Sequence, residues 1–281
     1  VFACGQITTA CEGAFYFGAV AATVVAVIPG IPSVLHIPLC LLAAAAVGAI
    51  IVMIPTWFNV RYGVLTIVVA LLVTNVFVFL GQYLVANPLR DPSAGFEASY
   101  PFAESAVLPN LGIRHIHLGF LIGLVIVILG YYILYHTPFG VEIRTVGKNQ
   151  KFALYSGIHV AQTAIVTSLL SGAVAGMGGA TEILGNYPRF VFTGSTNHAW
   201  NGIVIAVLCK NNPKFVPLAA FFLAYLSAAA DALNAASKIP PEIINIIQPV
   251  IIIFVAATQL LSGWEHRAIV KATGKMLKEG N

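Results

Sequence analysis

Charge is scarce in this sequence. Lys and Arg number 14 and Asp and Glu 10, so only 9% of the 281 residues are charged, against roughly a quarter in ordinary soluble domains. Hydrophobic residues make up 59%, and the mean hydropathy is +0.90. That leaves too little polar surface to face water around a soluble fold of this size. It also excludes intrinsic disorder, which needs low hydrophobicity and high charge. The net charge of +4 is too small and too scattered to indicate a nucleic-acid partner.

Catalytic patterns are missing too. A phosphate loop reads GxxxxGK[ST], but Glu142 and Ile269 stand five positions before the Gly of the pairs Gly147-Lys148 and Gly274-Lys275, and Asn149 and Met276 follow. There is no HExxH and no serine elbow. Cys4, Cys11, Cys40 and Cys209 form no CxxC pair and read as small apolar residues. His115 and His117 have a spacing that binds metal only with further ligands nearby, so no metal site is assigned. The chain reads as non-enzymatic, with no cofactor of its own. It begins with Val rather than Met, and no basic segment precedes the first apolar run. A missing native N-terminus, with room for another helix, is therefore expected.

What the sequence does have is long apolar runs. A bilayer-spanning helix needs roughly 20 apolar residues, so 281 residues accommodate about eight. The expected fold is all-α, a single polytopic membrane domain over residues 1–281. The segments are Ala10–Pro29, Val34–Ile54 ending at Pro55, Gly63–Val85, His117–His136, Ala161–Thr181, Trp200–Cys209, Phe215–Ala235 and Ile243–Gly263. A polar loop joins Ala86 to Arg114, and a charged one Thr137 to His159. Trp200–Cys209 is too short to cross alone. It is expected to be a short or broken helix shielded by protein, with residues 193–203 re-entering or lining a water-accessible cavity.

Lys and Arg set the orientation. With a cytoplasmic C-terminus, ten of the 14 fall on that side: Arg61, Arg144, Lys148, Lys151, Lys210, Lys214, Arg267, Lys271, Lys275 and Lys278. Arg90, Arg114, Arg189 and Lys238 fall outside. Gly119-x3-Gly123 and Gly172-x3-Gly176 have the spacing of close helix contacts in lipid. For the first, chance spacing is an equal reading.

Polar residues inside apolar runs are costly in lipid and become candidates for function. Glu12 stands at the start of the first run. Asn75 and Gln82 lie seven apart in the third; Asp231 and Asn234 close the seventh; Asn245 and Gln248 lie in the eighth. Each reads either as an interhelical hydrogen bond or as part of a polar solute pathway.

The loop Thr145-Val-Gly-Lys-Asn-Gln-Lys-Phe-Ala-Leu-Tyr-Ser-Gly-Ile158 resembles the G-x-N-x-x-A-A-x-x-x-G-I loop of bacterial ABC importer permeases of the branched-chain amino acid, sugar and nucleoside group. Leu170–Ala180 is similar to that group's LSGxLAGLAGA. Trp200–Pro213 is similar to FDGIAVALLGRNNP, and Ile239–Gln248 to the IPxEIIxIIQ of the nucleoside type. Thr9–Phe15 loosely resembles NIGVEGQF, keeping Glu12-Gly13 but lacking Asn-Ile-Gly. These stretches cover about half the chain, in order. Cys209 and Lys210 replace a Gly-Arg pair, and Phe152-Ala153 replaces a double Ala. Those departures weaken transfer of the substrate rather than of the family.

The resemblance implies a multi-pass permease subunit of the bacterial cytoplasmic (inner) membrane, closest to nucleoside-type permeases that work with basic-membrane-protein-like binding lipoproteins. It implies a second permease, often a different related chain, and two cytoplasmic ATPase subunits or a fused one carrying ATP and Mg. It also implies a substrate-binding lipoprotein or periplasmic protein. Residues 145–158 become a coupling helix, with Gly147, Lys148, Asn149, Ala153, Ser156 and Gly157 facing the ATPase. Glu12, Asn75, Gln82, Trp200, Asn201 and Asn245 become pathway candidates. The solute is expected to be a nucleoside or related ring-bearing neutral compound, with riboflavin or a simple sugar as alternatives. A secondary transporter or channel is the reading from another class, but no internal repeat supports it.

Overall fold

A computed structural model describes residues 1–112, 116–209 and 211–236 of the chain. Among these the secondary structure is helical, with two isolated β-bridges, Arg90 with Ser99 and Asn110 with His117. The helices are α1 (Ala10–Ala26), α2 (Ser33–Tyr62), α3 (Thr66–Ala86), α4 (Leu118–His136), α5 (Pro138–Lys148), α6 (Gln150–Tyr155), α7 (Val160–Asn186), α8 (His198–Leu208) and α9 (Val216–Ala236).

Four of these, α2, α3, α4 and α7, are long and apolar enough to cross a membrane. Counting the pair formed by α8 and α9, which bends by 114°, gives up to five. The helix α1 has 17 residues and falls short of that length. The expected total of about eight segments is therefore not reached among the described residues, and Ile243–Gly263 lies outside them.

Several boundaries differ from the sequence expectation. Pro55 does not end the second helix: α2 runs on to Tyr62 and stops at Gly63, whose φ of 69° is left-handed. Proline removes its own N–H from the ladder and its ring crowds the carbonyl four residues before, a local cost that does not stop a helix whose apolar run continues beyond it. The charged stretch 137–159, in which one coupling helix over 145–158 was expected, holds two short helices, α5 beginning already at Pro138 and α6 ending at Tyr155. Thr137 Oγ1 accepts from the Gly140 N–H at 3.2 Å and caps α5, and Asn149 Oδ1 accepts from the Phe152 N–H at 3.1 Å and caps α6. Side-chain caps of this kind satisfy first-turn amides that have no helical partner.

Residues Val1–Gly202 form one compact unit. At its centre α1, α2 and α7 cross on small residues. A methyl group added to Gly176 would strike the Ala44 carbonyl of α2, and one added to Gly18 of α1 would come within 2.6 Å of Gly176 Cα. Gly48 of α2 and Gly172 of α7 are mutually placed so that a Cβ on either would strike the other's carbonyl. Backbones that meet this closely exchange side-chain volume for van der Waals contact, the usual route to helix association in lipid. The Gly172-x3-Gly176 expectation therefore holds. Gly119 packs on His117 and Thr181, whereas Gly123 has nothing within 4 Å.

The unit has two ends. At one, α5 and α6 pack with the start of α7 and with the 3-10 turn Phe2–Cys4; Cys4, Ile143, Val146, Ala153 and Ala164 are buried together there. Arg144, Lys148 and Lys151, on α5 and α6, belong to this end. At the other, the segment 87–112 folds over the ends of α1 and α7: Ala103 N–H donates to Ala26 O at 2.9 Å, and Leu108 N–H to Leu184 O at 3.1 Å. Buried His36 tethers it further, through Ser105 Oγ at 2.8 Å and Val25 O at 3.0 Å.

Residues from Ile203 onward form a second unit. Its described part includes the rest of α8, the 3-10 turn Pro213–Phe215 and α9. Asn211 takes a left-handed φ of 58°, and Asn212 Oδ1 accepts from Lys214 N–H at 3.1 Å. The Asn-Asn-Pro run thus ends one helix and starts the next turn, using asparagine's tolerance of that conformation. Lys210 lies outside the described residues.

Candidate functional site: a non-helical segment held on Glu12

Glu12 stands in the first turn of α1 and is 1% exposed. Its neighbour Gly13 lets α3 approach so closely that a Cβ there would lie 2.9 Å from Thr74 Cα. Thr74 Oγ1 also donates to Thr9 O at 3.2 Å. Glu12 is thereby level with the middle of α3.

A buried carboxylate without donors would be strongly disfavoured. Glu12 has four. Oε1 accepts from Ser195 Oγ at 2.7 Å, Thr196 Oγ1 at 3.2 Å and the Asn197 N–H at 2.7 Å. Oε2 accepts from the Ala199 N–H at 2.8 Å. Ala199 belongs to the first turn of α8, so Glu12 fills an orphan amide and places negative charge at the positive end of that helix. Asn197 is left-handed, with φ 59°. Phe15 supports the same turn from α1, its ring edge-to-face with His198 at 5.1 Å.

The chain arriving at this point is neither helix nor strand. Tyr16 Oη donates to Phe192 O at 3.0 Å and Gln82 Nε2 to Thr193 O at 2.6 Å. Higher up, Phe190 N–H donates to Ser99 Oγ at 3.0 Å, and Phe102 N–H to Pro188 O at 3.0 Å. Side chains of α1 and α3 therefore do for residues 192–199 what a helical ladder does elsewhere. Non-helical backbone at membrane depth is tolerated only where protein or water satisfies it.

The opposite face of this segment is open. Thr193, Ser195, Asn197, His198, Trp200 and Asn201 are exposed in the isolated chain, as is Asn75 on α3. Asn75 Nδ2 uses one hydrogen on Leu71 O of its own helix, at 2.9 Å. Gln82 is half-buried and committed to Thr193. Of the pathway candidates, then, Glu12 and Gln82 hold the segment from behind, while Asn75, Trp200 and Asn201 lie on exposed surface. Asn245 lies outside the described residues, and the side chains of Asp231 and Asn234 are likewise undescribed. The stretch 193–203 was marked by sequence, but neither Tyr16 nor the bonds that Ser195, Thr196 and Asn197 make to Glu12 were foreseen.

At the other end, Gly147, Lys148 and Asn149 form the junction of α5 and α6. A Cβ on Gly147 would strike Ala3 O, so the Phe2–Cys4 turn sits directly against it. From there Gln6 Oε1 accepts from Thr56 Oγ1 at 3.1 Å, and Thr56 Oγ1 lies 2.6 Å from Ser168 Oγ. Residues 1–12 thus connect the α5–α6 junction to Glu12. Ala153 is buried, while Ser156 and Gly157 are exposed where α6 ends; Gly157 has φ 81°. Between α5, α6 and α7 lies a cavity of about 430 Å³ lined by Glu142, Ser156, Gly157, His159, Gln162 and Thr163 among others. Among the described residues no group of three or more His, Cys, Asp or Glu is placed to hold a metal.

The sequence matches the family model for the branched-chain amino acid transport system, permease component, over residues 1–256. It is 31% identical to the glucose ABC transporter permease protein TsgB13 of Haloferax volcanii, over 91% of this chain and 70% of that protein. It is 30% identical to the guanosine ABC transporter permease protein NupP of Bacillus subtilis, over 99% of this chain and 79% of that one. A second protein of that organism, the guanosine ABC transporter permease protein NupQ, is 24% identical over 78% and 72%. No solved structure matches.

Proposed function

The chain belongs to the branched-chain amino acid transport system permease family, a multi-pass membrane protein, and on that premise we propose that it is the permease of an ATP-driven importer of neutral nucleosides. The observation that carries the reading is the exposed polar segment 193–201, held at membrane depth by Glu12. Polar side chains there are disfavoured against lipid. They are accounted for if this face lines a water-filled pathway closed by a second permease.

Solute passes along this face and meets the start of α8. Glu12 holds that helix end, and alternating access moves it between two arrangements biased by ATP binding below. The short helices α5 and α6 seat on a cytoplasmic ATPase through Gly147, Lys148, Asn149, Ser156 and Gly157, with Ala153 packing beneath. Residues 1–12 carry the displacement to Glu12. A binding lipoprotein or periplasmic protein delivers the solute. The C-terminus is cytoplasmic, following the ten-to-four distribution of Lys and Arg.

Two relatives from one organism are named for guanosine, and both match this chain, which supports pairing with a different related permease. The relative named for glucose makes a sugar the second reading. ATP-driven uptake of radiolabelled guanosine, glucose and riboflavin into proteoliposomes holding the purified assembly separates them. Guanosine uptake is expected; uptake of glucose alone would transfer the assignment to sugars, and uptake of none would end it.

A further inference from the structure

At the far end of α3 from α5 and α6 lies a cavity of about 400 Å³. Three rings line it, Phe79, Tyr83 and Phe192, together with Gln82, Asn87 and Glu97. It adjoins the upper end of the segment held on Glu12, because Gln82 lines it and donates to Thr193 O at 2.6 Å.

The polar groups are unevenly spent. Gln82 and Asn87 each use an amide hydrogen on a backbone carbonyl, Asn87 on Tyr83 O at 3.0 Å. Their amide oxygens and the Glu97 carboxylate have no donor among the described residues. Glu97 is exposed and has no cationic partner among them. Acceptors therefore outnumber the remaining donors, and Glu97 is the one charged residue among those that line the cavity.

We propose that this cavity is an entry subsite for a neutral solute that carries a planar ring and several hydrogen-bond donors, a nucleoside and not a nucleotide. The rings stack on the base, each good aromatic contact adding modest energy beyond burial. Ribose hydroxyls and base N–H groups donate to Glu97, Asn87 and Gln82. A phosphate is refused because it brings negative charge and acceptors to a site already rich in both. The proposal rests on the importer reading.

The test uses the full assembly carrying Ala86→Cys, a small change on the cavity wall. The rate of modification by a membrane-impermeant thiol reagent is measured alone and with guanosine, guanosine monophosphate or glucose at saturating concentration. Size-exclusion profiles confirm equal assembly. Guanosine should slow modification roughly tenfold, since a pocket ligand buries most of its surface. The monophosphate and glucose should leave the rate unchanged. Adding Glu97→Lys should reverse the order of guanosine and its monophosphate. Equal rates with and without guanosine, in an assembly that imports guanosine, would overturn the subsite and leave the importer reading standing. Equal protection by the monophosphate would overturn the charge selection. An assembly that does not import guanosine withdraws both.

Discussion

Glu12 and Ala199 lie 187 residues apart in the chain, and Oε2 of the first accepts the backbone N–H of the second at 2.8 Å. Oε1 is occupied by Ser195, Thr196 and Asn197. Replacement by Gln leaves one amide NH2 facing a donor, because every partner of the carboxylate is a donor. Hydrogen bonds to charged groups contribute roughly 1.5–3 kcal/mol, so Glu12→Gln should release the segment without unfolding α1. A cysteine at Gly194 reports it: thiol modification should be at least several-fold faster in Glu12→Gln than in the parent. Equal rates would show that the carboxylate does not hold the segment.

The glycines of the central crossing and that of α4 make opposite predictions for one substitution. Gly176→Ala places a methyl on the Ala44 carbonyl and should destabilise the purified protein by about 1–3 kcal/mol. Gly123→Ala meets nothing within 4 Å and should leave stability unchanged or raise it by up to about 1 kcal/mol, through lower chain entropy. Thermal unfolding of the two variants in one detergent decides. A similar loss in both would remove the packing account of Gly176.

These two glycines also mark what could be read in advance. The spacing Gly172-x3-Gly176 and that of Gly119-x3-Gly123 look alike, and only the run of small residues around the first distinguished them. Glu12 was conspicuous as a carboxylate in an apolar stretch, but its partners are nearly two hundred residues away and no local pattern names them. Tyr16 looked like any aromatic on a buried face; its bond to Phe192 O is possible because residue 192 lies outside any helix and leaves its carbonyl free of a ladder. Helix was expected over 145–158, but its start at Pro138 and its break at Asn149 were not legible, because the caps Thr137 and Asn149 are ordinary polar residues. Pro55 misled because proline's cost to a helix is local, and the packing of a long apolar helix offsets it.

Gly157 tests the coupling end. Its φ of 81° is left-handed and nothing lies within 4 Å of a Cβ there, so any penalty is conformational rather than steric. For a β-branched residue that penalty is about 1–2 kcal/mol. Gly157→Val should leave membrane insertion normal and weaken solute-stimulated ATP hydrolysis, measured against basal hydrolysis. Full stimulation in the variant would remove residues 156–157 from the coupling surface.

Asp91 gives a pH dependence. The Ser93 hydroxyl at 2.6 Å and its N–H at 2.9 Å, and then Arg189 at 3.1 Å, hold its carboxyl below the usual carboxylate range. A depressed carboxyl stabilises the fold above its unfolded value, near about 3.9, and that contribution is lost as pH falls through the lower folded value. Hydrogen-exchange protection of the Asp91 and Ser99 amides should be flat from neutral pH down to about 5 and should fall in stronger acid. Asp91→Asn should show the reduced protection already at neutral pH. Protection that is independent of both acid and substitution would contradict this role.

The most direct test of the account is ATP-driven guanosine uptake per assembled complex, comparing the parent with Glu12→Gln in the same proteoliposomes. The account predicts at least a tenfold loss of uptake, a difference of roughly 1.4 kcal/mol or more, with assembly and basal ATP hydrolysis preserved. Uptake equal to the parent, at equal assembly, would contradict the claim that the Glu12-held end of α8 controls the pathway.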